Sequence, residues 1–294
     1  MDVRLLKYFV TVANEGSLTK AANILHITQP TLSHQLKTLE EELQCELFTR
    51  SSYGIKLTPT GVLLKNRAED ILELVEKTEH EFKNIAENAP VDIYIGCSES
   101  ENSKEFMALL KKFNDEYPNI RYHVYCSSTE SITKQLNNGL LDFAYIVGDF
   151  DYSNFSSFKL PYENKAGILM KKDDALTNLK HIDLETFLAL PIIKREIGAL
   201  YSENSTTWMR NSHADTVFTF TTMYSGIQML EAGLGYVLCY DDNVNLNMYP
   251  DICFRPLHPP LYNGTYIIWK EHRDFTPLAK QLLSRITQYY GGGY

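Results

Sequence analysis

Residues 17–61 read S-L-T-K-A-A-N-I-L-H-I-T-Q-P-T-L-S-H-Q-L-K-T-L-E-E-E-L-Q-C-E-L-F-T-R-S-S-Y-G-I-K-L-T-P-T-G. Ser17 is an N-cap residue for a short helix from Leu18 to about Leu25. Ala21 and Ala22 are small enough for two helices to cross closely there. Ile27-Thr28 makes a tight turn, and Thr28 caps a helix over 29–43 in which Pro30 falls in the first turn, where a missing N–H costs nothing. Upstream, Leu5, Leu6, Phe9 and Val12 repeat at helical spacing and stop near Gly16. Downstream, Ser51-Ser52-Tyr53-Gly54 is turn chemistry, and Ile55-Lys56-Leu57 is a short strand. The order is helix, helix–turn–helix, small hairpin.

The helix at 29–43 has two faces. Leu32, Leu36, Leu39 and Leu43 point inward with Leu25, while Gln29, Thr31, Ser33, His34, Gln35, Lys37 and Thr38 are left outside. Neutral hydrogen-bonding side chains of this kind read base edges in a major groove, and a helix N-terminus suits a phosphate. Lys37 and Arg50 can neutralise backbone charge. The plain alternative is a solvated face. A helix serving only oligomerisation would instead show apolar residues at those positions. The candidate DNA-binding residues on this reading are Gln29, Thr31, Ser33, His34, Lys37 and Arg50.

From Pro59 a long helix runs to residue 87. Leu64, Ala68, Ile71, Val75, Thr78, Phe82 and Ile85 repeat with heptad spacing among charged flanks. This predicts a dimerising coiled coil, the alternative being a helix packed on its own domain. Asn88-Ala89-Pro90 reads as a linker.

Residues 91–290 then alternate strands (91–97, 120–126, 142–147, 165–170, 191–195, 216–221, 235–240, 263–270) with helices (102–117, 130–139, 183–189, 203–212, 223–233, 276–290). Alternation implies mostly parallel α/β sheets, here in two small lobes around a cleft. The tail Gly291-Gly292-Gly293 reads as flexible.

Composition sets the frame. The chain has 294 residues, 44% hydrophobic and 22% charged, which suits a two-domain globular protein and excludes a disordered or fibrous one. Net charge is −9, yet six basic and six acidic side chains balance over residues 1–60. A DNA-binding case therefore rests on where the cations sit. Cys45, Cys97, Cys126, Cys239 and Cys253 are scattered and lack C-x-x-C spacing, which argues for a reducing cytoplasm and against a disulfide framework or zinc site. No secretory signal and no transmembrane run is visible. Nor is there a G-x-S-x-G, Walker A, G-x-G-x-x-G or H-E-x-x-H motif, so no enzyme is expected. Metal sites and cofactors are not expected either.

In open α/β sheets, ligands sit at strand carboxyl ends, where helix N-termini present free N–H groups. Three such ends carry hydroxyls: Ser98-Glu99-Ser100, Ser127-Ser128-Thr129, and Thr221-Thr222-Met223. Lys194 and Arg195 can add positive charge. The effector-binding candidates are Ser98, Glu99, Ser100, Ser127, Ser128, Thr129, Lys194, Arg195, Thr222 and Met223. Helix capping is the plain alternative for each hydroxyl cluster, and the two roles are compatible. Glu99 disfavours an anion unless it pairs with Lys194 or Arg195. Gly233 and Gly235 read as a helix-to-strand turn. Cys97, Cys126 and Cys239 end strands and could face the cleft, although small buried apolar residues are the plainer reading.

The N-terminal segment resembles the winged helix-turn-helix of LysR-type transcriptional regulators. The matching residues are Phe9, Ser17, Ala21-Ala22, Leu25, Gln29-Pro30-Thr31, Ser33, Leu39-Glu40, Leu43, Leu47-Phe48, Arg50, Leu57-Thr58 and Gly61. The resemblance implies Ser17, Pro30 and Thr58 as DNA-binding residues in addition to those on the outer face and Arg50. Gln44 departs from the pattern, since the family usually has Gly after Leu there. The resemblance implies residues 1–58 as the DNA-binding domain, 59–89 as a linker helix and 90–294 as an effector domain. The last is periplasmic-binding-protein-like, with lobe I about 90–161 and 265–294 and lobe II about 162–264. It also implies a homodimer or homotetramer on double-stranded DNA, at an inverted-repeat operator near a promoter. RNA polymerase and a small polar metabolite are the further expected partners. Activation, with control of its own gene, is the favoured mode.

Overall fold

The computed structural model describes residues 1–51, 54–87, 89–148, 153–195 and 216–291. The helix expected at 203–212 lies outside the described residues, as do Ser52, Tyr53 and Asn88. The chain divides into two compact units, Met1–Glu87 and Asn88–Tyr294.

The first unit is three helices, α1 (Val3–Glu15), α2 (Leu18–Ile24) and α3 (Gln29–Leu43), then a hairpin of β1 (Phe48–Ser51) and β2 (Gly54–Leu57), then α4 (Pro59–Glu87). The expected caps form: the Ser17 hydroxyl accepts from Lys20 N at 3.4 Å, and the Thr28 hydroxyl from Thr31 N at 3.4 Å. Leu5, Leu6, Phe9, Val12, Ala21, Ala22, Leu32, Leu36 and Leu39 form the core. Leu43, expected inside, is 37% exposed because α3 ends there. Gln44 takes the left-handed conformation that closes the helix (φ 54°, ψ 33°), so the chain keeps the turn without a glycine. The Glu40 carboxylate then accepts from Leu47 N at 2.7 Å and Phe48 N at 3.3 Å, which fixes the exit toward the hairpin. Gly61 sits where any Cβ would lie 2.1 Å from the Leu47 carbonyl oxygen, so only glycine lets α4 start against this turn.

The apolar stripe of α4 divides into two parts. Leu64, Ala68 and Ile71 pack on the core of this unit, against α1. Only the later part of the stripe is free of that core, and Phe82 is 70% exposed. The first half of the helix therefore serves its own domain, while the far half carries both exposed Phe82 and buried Lys77.

The second unit contains β3 (Val91–Cys97), α5 (Ser103–Glu116), β4 (Ile120–Cys126), α6 (Thr129–Asn137), β5 (Phe143–Val147), β6 (Phe155–Lys171), α7 (Leu184–Leu188), β7 (Ile192–Arg195), β8 (Thr216–Phe220), α8 (Met223–Glu231), β9 (Tyr236–Tyr240), β10 (Ile252–Pro256), β11 (Tyr262–Lys270) and α9 (Pro277–Gly291). The strand order is β4-β3-β5-β11-β6-β9-β7-β8, with β10 also on β6. The sheet is mixed, not mostly parallel: β3 pairs in parallel with β4 and β5, and β7 with β8 and β9. β6 and β11 run antiparallel to their neighbours.

Strand β6 joins the two lobes. Its first half pairs with β11, its second with β9 and β10. The sequence shows only the second half, because Pro161 interrupts the first. The pairing register jumps from Leu160↔Thr265 to Glu163↔Gly264, leaving Pro161 and Tyr162 out of the ladder, so the missing N–H is not needed. β10 is the other strand not legible in the sequence, five residues ending in proline. Gly291, expected in a flexible tail, closes α9, and residues 292–294 lie outside the described ones. At the expected helix-to-strand turn, Gly235 has φ 154° and a Cβ there would lie 2.4 Å from the Pro191 carbonyl oxygen. One apolar cluster runs from Ile93, Phe106 and Leu282 in lobe I to Ile168, Phe187 and Ile192 in lobe II, so the lobes share a core.

Candidate functional site

Two sites emerge, one in each unit. On α3 the residues Gln29, Pro30, Thr31, His34 and Lys37 are exposed, and Ser33 is half-buried. The Thr31 hydroxyl lies 2.8 Å from that of Thr28, and Lys37 pairs loosely with Glu41 at 3.6 Å. An exposed pair of this kind holds little energy and releases the ammonium readily to a phosphate. Ser17 caps α2 and so sits at a helix N-terminus. The Thr58 hydroxyl donates to the Glu46 carbonyl at 2.7 Å and accepts from Gly61 N at 3.0 Å, which makes it the joint between hairpin and α4. Arg50 lies in β1 opposite Ile55, at the hairpin end. Glu40 was missed as a supporting residue. Its signal was a carboxylate one turn before the helix end, followed by two backbone donors.

In the second unit the carboxyl ends of β3, β4, β7 and β8 converge on a cavity of about 300 Å³. It is lined by Glu99, Cys126, Ser127, Ser128, Arg195, Phe220, Thr221 and Thr222. A narrow extension of about 40 Å³ reaches Ser98, Thr129, Tyr240 and Asn243. This size is at the low end for small-molecule sites. A hollow of about 420 Å³ at Lys171, Lys172, Asp173 and Glu231 is larger but gathers only surface charges of both signs beside loop residues 248–251.

Electrostatics of the cavity centre on Glu99. Its Oε2 accepts from Arg195 Nη2 at 2.7 Å and from Met223 N, at the start of α8, at 3.2 Å. Asn243 Nδ2 holds its backbone carbonyl at 2.9 Å. The guanidinium carbon of Arg195 also lies 5.8 Å from the Phe220 ring centre. Lobe II thus presents a guanidinium and a helix N-terminus, and lobe I supplies the carboxylate that meets them. The hydroxyls around this pair are neutral. Ser128 Oγ accepts from Ser131 N at 3.3 Å to cap α6, which leaves its O–H able to donate into the cavity.

The structure brings Ser98, Glu99, Ser127, Ser128, Thr129, Arg195 and Thr222 to the cavity wall. Three expected residues do otherwise. Ser100 donates to Asp242 and lies 3.3 Å from the Tyr145 hydroxyl, so its hydroxyl is spent on the scaffold. Met223 buries its side chain in the lobe II core and contributes only its backbone N–H. Lys194 does not line the cavity, since neighbouring side chains on a strand face opposite ways and Arg195 takes the inward one. Phe220, Tyr240 and Asn243 were missed, although each ends or follows a strand on the same side. Cys239, expected to be able to face the cleft, is buried in lobe II, and burial holds its thiol far above the usual range. Among the described residues no group of three or more His, Cys, Asp or Glu side chains could hold a metal ion, and no helix is long and apolar enough to cross a membrane.

A helix-turn-helix with an exposed polar face and a hairpin, followed in the chain by a two-lobed unit with a cleft, is the architecture of a ligand-responsive DNA-binding regulator. The family profile described as "Bacterial regulatory helix-turn-helix protein, lysR family" matches residues 3–62, and "LysR substrate binding domain" matches residues 92–291. The chain belongs to the LysR family of DNA-binding transcriptional regulators, with an effector-binding domain after its helix-turn-helix. Similar curated proteins are regulators, not enzymes. The HTH-type transcriptional regulator HdfR of Yersinia pestis (strain Pestoides F) is 26% identical over 296 residues, covering 96% of this chain and 95% of that one. The probable RuBisCO transcriptional regulator of Cyanophora paradoxa is 31% identical over 194 residues, 65% of this chain and 59% of that protein. Among solved structures, full-length CbnR complexed with its target DNA aligns over 100% of both chains at TM-score 0.70 and 17% identity. A full-length BenM mutant aligns over 99% of this chain and 97% of its own at TM-score 0.53 and 24% identity. At these identities the structures speak for the fold.

Proposed function

We propose that this regulator binds a small polar metabolite in the interlobe cavity and converts that binding into altered occupancy of an inverted-repeat operator. The carrying observation is the convergence of Glu99, Ser127, Ser128, Arg195, Thr221 and Thr222 on one cavity. Arg195 and the α8 N-terminus suit a carboxylate or other oxyanion, which displaces Glu99 from them. Phe220 adds an aromatic wall. The DNA-reading set is Ser17, Gln29, Pro30, Thr31, Ser33, His34, Lys37, Arg50 and Thr58, with Ser33 and His34 assigned to bases and Lys37 and Arg50 to neutralising phosphates. The chain acts in the cytoplasm as a homodimer or homotetramer, activating through RNA polymerase and controlling its own gene. Exposed Leu63, Leu74 and Phe82 on α4 support self-association.

Thermal unfolding of the full chain against a panel of small metabolites tests the cavity. A ligand of the folded state raises stability by about 2.7 kcal/mol at a hundredfold excess over Kd. The expected result is a midpoint shift in the wild type that vanishes in a Ser128→Ala/Thr222→Ala variant. A ligand that shifts both proteins equally binds elsewhere and refutes the assignment.

A further inference from the structure

Cys97 and Cys126 are register partners at the carboxyl ends of adjacent parallel strands β3 and β4. Neighbouring strands are about 4.8 Å apart, inside the range of Cα separations a disulfide spans. Both side chains take the same sheet face: Ile93, Ile95 and Cys97 share a core cluster with Ile120 and Tyr122, whereas Tyr94 and Tyr125 belong to the opposite face. Their environments differ. Cys97 is 3% exposed and its Sγ lies 3.4 Å from the Ser98 carbonyl oxygen. Cys126 is exposed and lines the cavity beside Ser127 and Arg195. The neighbouring Cys97 thiol lowers Cys126 from the usual thiol range, while that same neighbour and burial raise Cys97. An accessible sulfur with thiolate character beside a buried protonated one is the arrangement of an attacking and a resolving cysteine.

We propose that Cys97 and Cys126 form a dithiol site in the regulatory unit that a small hydroperoxide oxidises to an intrachain disulfide. The Cys126 thiolate sulfur attacks one peroxide oxygen. The O–O bond breaks, the other oxygen leaves as water or an alcohol after taking a proton, and Cys126 becomes a sulfenic acid. The Cys97 sulfur then attacks the Cys126 sulfur. The S–S bond forms, the S–O bond breaks, and the hydroxyl leaves as water with the Cys97 proton. Two thiols lose two electrons and two protons, and the hydroperoxide is reduced to water plus water or alcohol. The new bond ties together the ends of β3 and β4 that lead into Ser98-Glu99 and Ser127-Ser128, so it acts on the cavity wall. Cys239 and Cys253 lack this arrangement, and burial raises both thiols.

The test treats the reduced full chain with stoichiometric hydrogen peroxide, and in parallel with tert-butyl hydroperoxide, followed by non-reducing peptide mapping. A Cys97–Cys126 linked peptide and an intact mass lower by two hydrogens are expected, the faster oxidant naming the physiological class. Cys126 should alkylate with iodoacetamide about tenfold faster than Cys253. In Cys97→Ala the reaction should stop at a sulfenic acid on Cys126 that dimedone traps, while Cys239→Ala should behave as wild type. No linked peptide with either oxidant, or oxidation that spares Cys126 and falls on Cys45 or Cys253, overturns the proposal.

Discussion

One carboxylate holds the turn between α3 and the hairpin. Glu40 accepts two backbone N–H groups, at 2.7 and 3.3 Å. Losing a charged acceptor to part-buried donors costs about 1.5–3 kcal/mol. Glu40→Ala should therefore speed amide exchange across α3 and β1 by at least about tenfold, as hydrogen–deuterium exchange would show. Unchanged protection there would mean the turn is held by its apolar contacts alone. Gln44 works the other way, as a residue with a Cβ in left-handed backbone. Gln44→Gly should stabilise this unit by up to about 1 kcal/mol, seen as slower exchange in the same segment. In the regulatory unit, burial pushes the Asp242 carboxyl up to about 6, while its bonds from Ser100 and Asn102 work against that. The folded pKa lies above the unfolded one, so this group stabilises the fold fully below about pH 4, and that contribution is lost as pH rises through about 6. The loss amounts to about 2–3 kcal/mol by pH 7. Asp242→Asn should remove that part of the pH dependence of the urea midpoint, read by tryptophan fluorescence. An unchanged profile would exclude Asp242 as its source.

At the scale of elements, capping and periodicity made α1 to α4 legible almost residue by residue. Local chemistry decides such helices: Ser17 and Thr28 cap, Pro30 opens, and the leucines fix the inner face. Strands were legible where β-branched and aromatic residues cluster, unbroken in β5 and alternating with polar residues in β4. They were not where a non-local feature overrode propensity, as Pro161 does in β6, whose unpaired bulge depends on β11. Parallel and antiparallel neighbours could not be told apart, because strand direction is set by partners far along the chain. The outer face of α3 makes a separable prediction. On a duplex carrying its operator and a scrambled duplex, Ser33→Ala/His34→Ala should reduce the preference for the operator by about 1–3 kcal/mol per lost base contact. Lys37→Ala should weaken both duplexes alike and reduce the salt slope by about one. Equal losses from both variants would deny α3 a base-reading role. Helix α4 contributes the self-association test: Phe82, 70% exposed, should convert the assembly toward monomer when changed to Glu, as sedimentation velocity would report.

At the scale of the whole molecule, the strand-end rule predicted the hydroxyl clusters that meet at the cavity, because β3 and β4 in lobe I run opposite to β7 and β8 in lobe II and their carboxyl ends face each other across the cleft. The rule could not say which hydroxyls are consumed inside the scaffold, as Ser100 is by Asp242, nor that Met223 turns its side chain into the core. Glu99 binds Arg195 and the start of α8 across the lobes, so the proposed oxyanion would replace a contact that already holds them. On the proposed function, ligand binding changes lobe contacts rather than filling an inert hollow, and that change is what operator binding would register. The direct test is the operator affinity of the full chain with and without a metabolite that raises its unfolding midpoint, in wild type and in Ser128→Ala/Thr222→Ala. A change of about 5- to 150-fold in the wild type, absent in the variant, is predicted for coupled sites. A metabolite that occupies the cavity and leaves operator affinity unchanged would contradict the account.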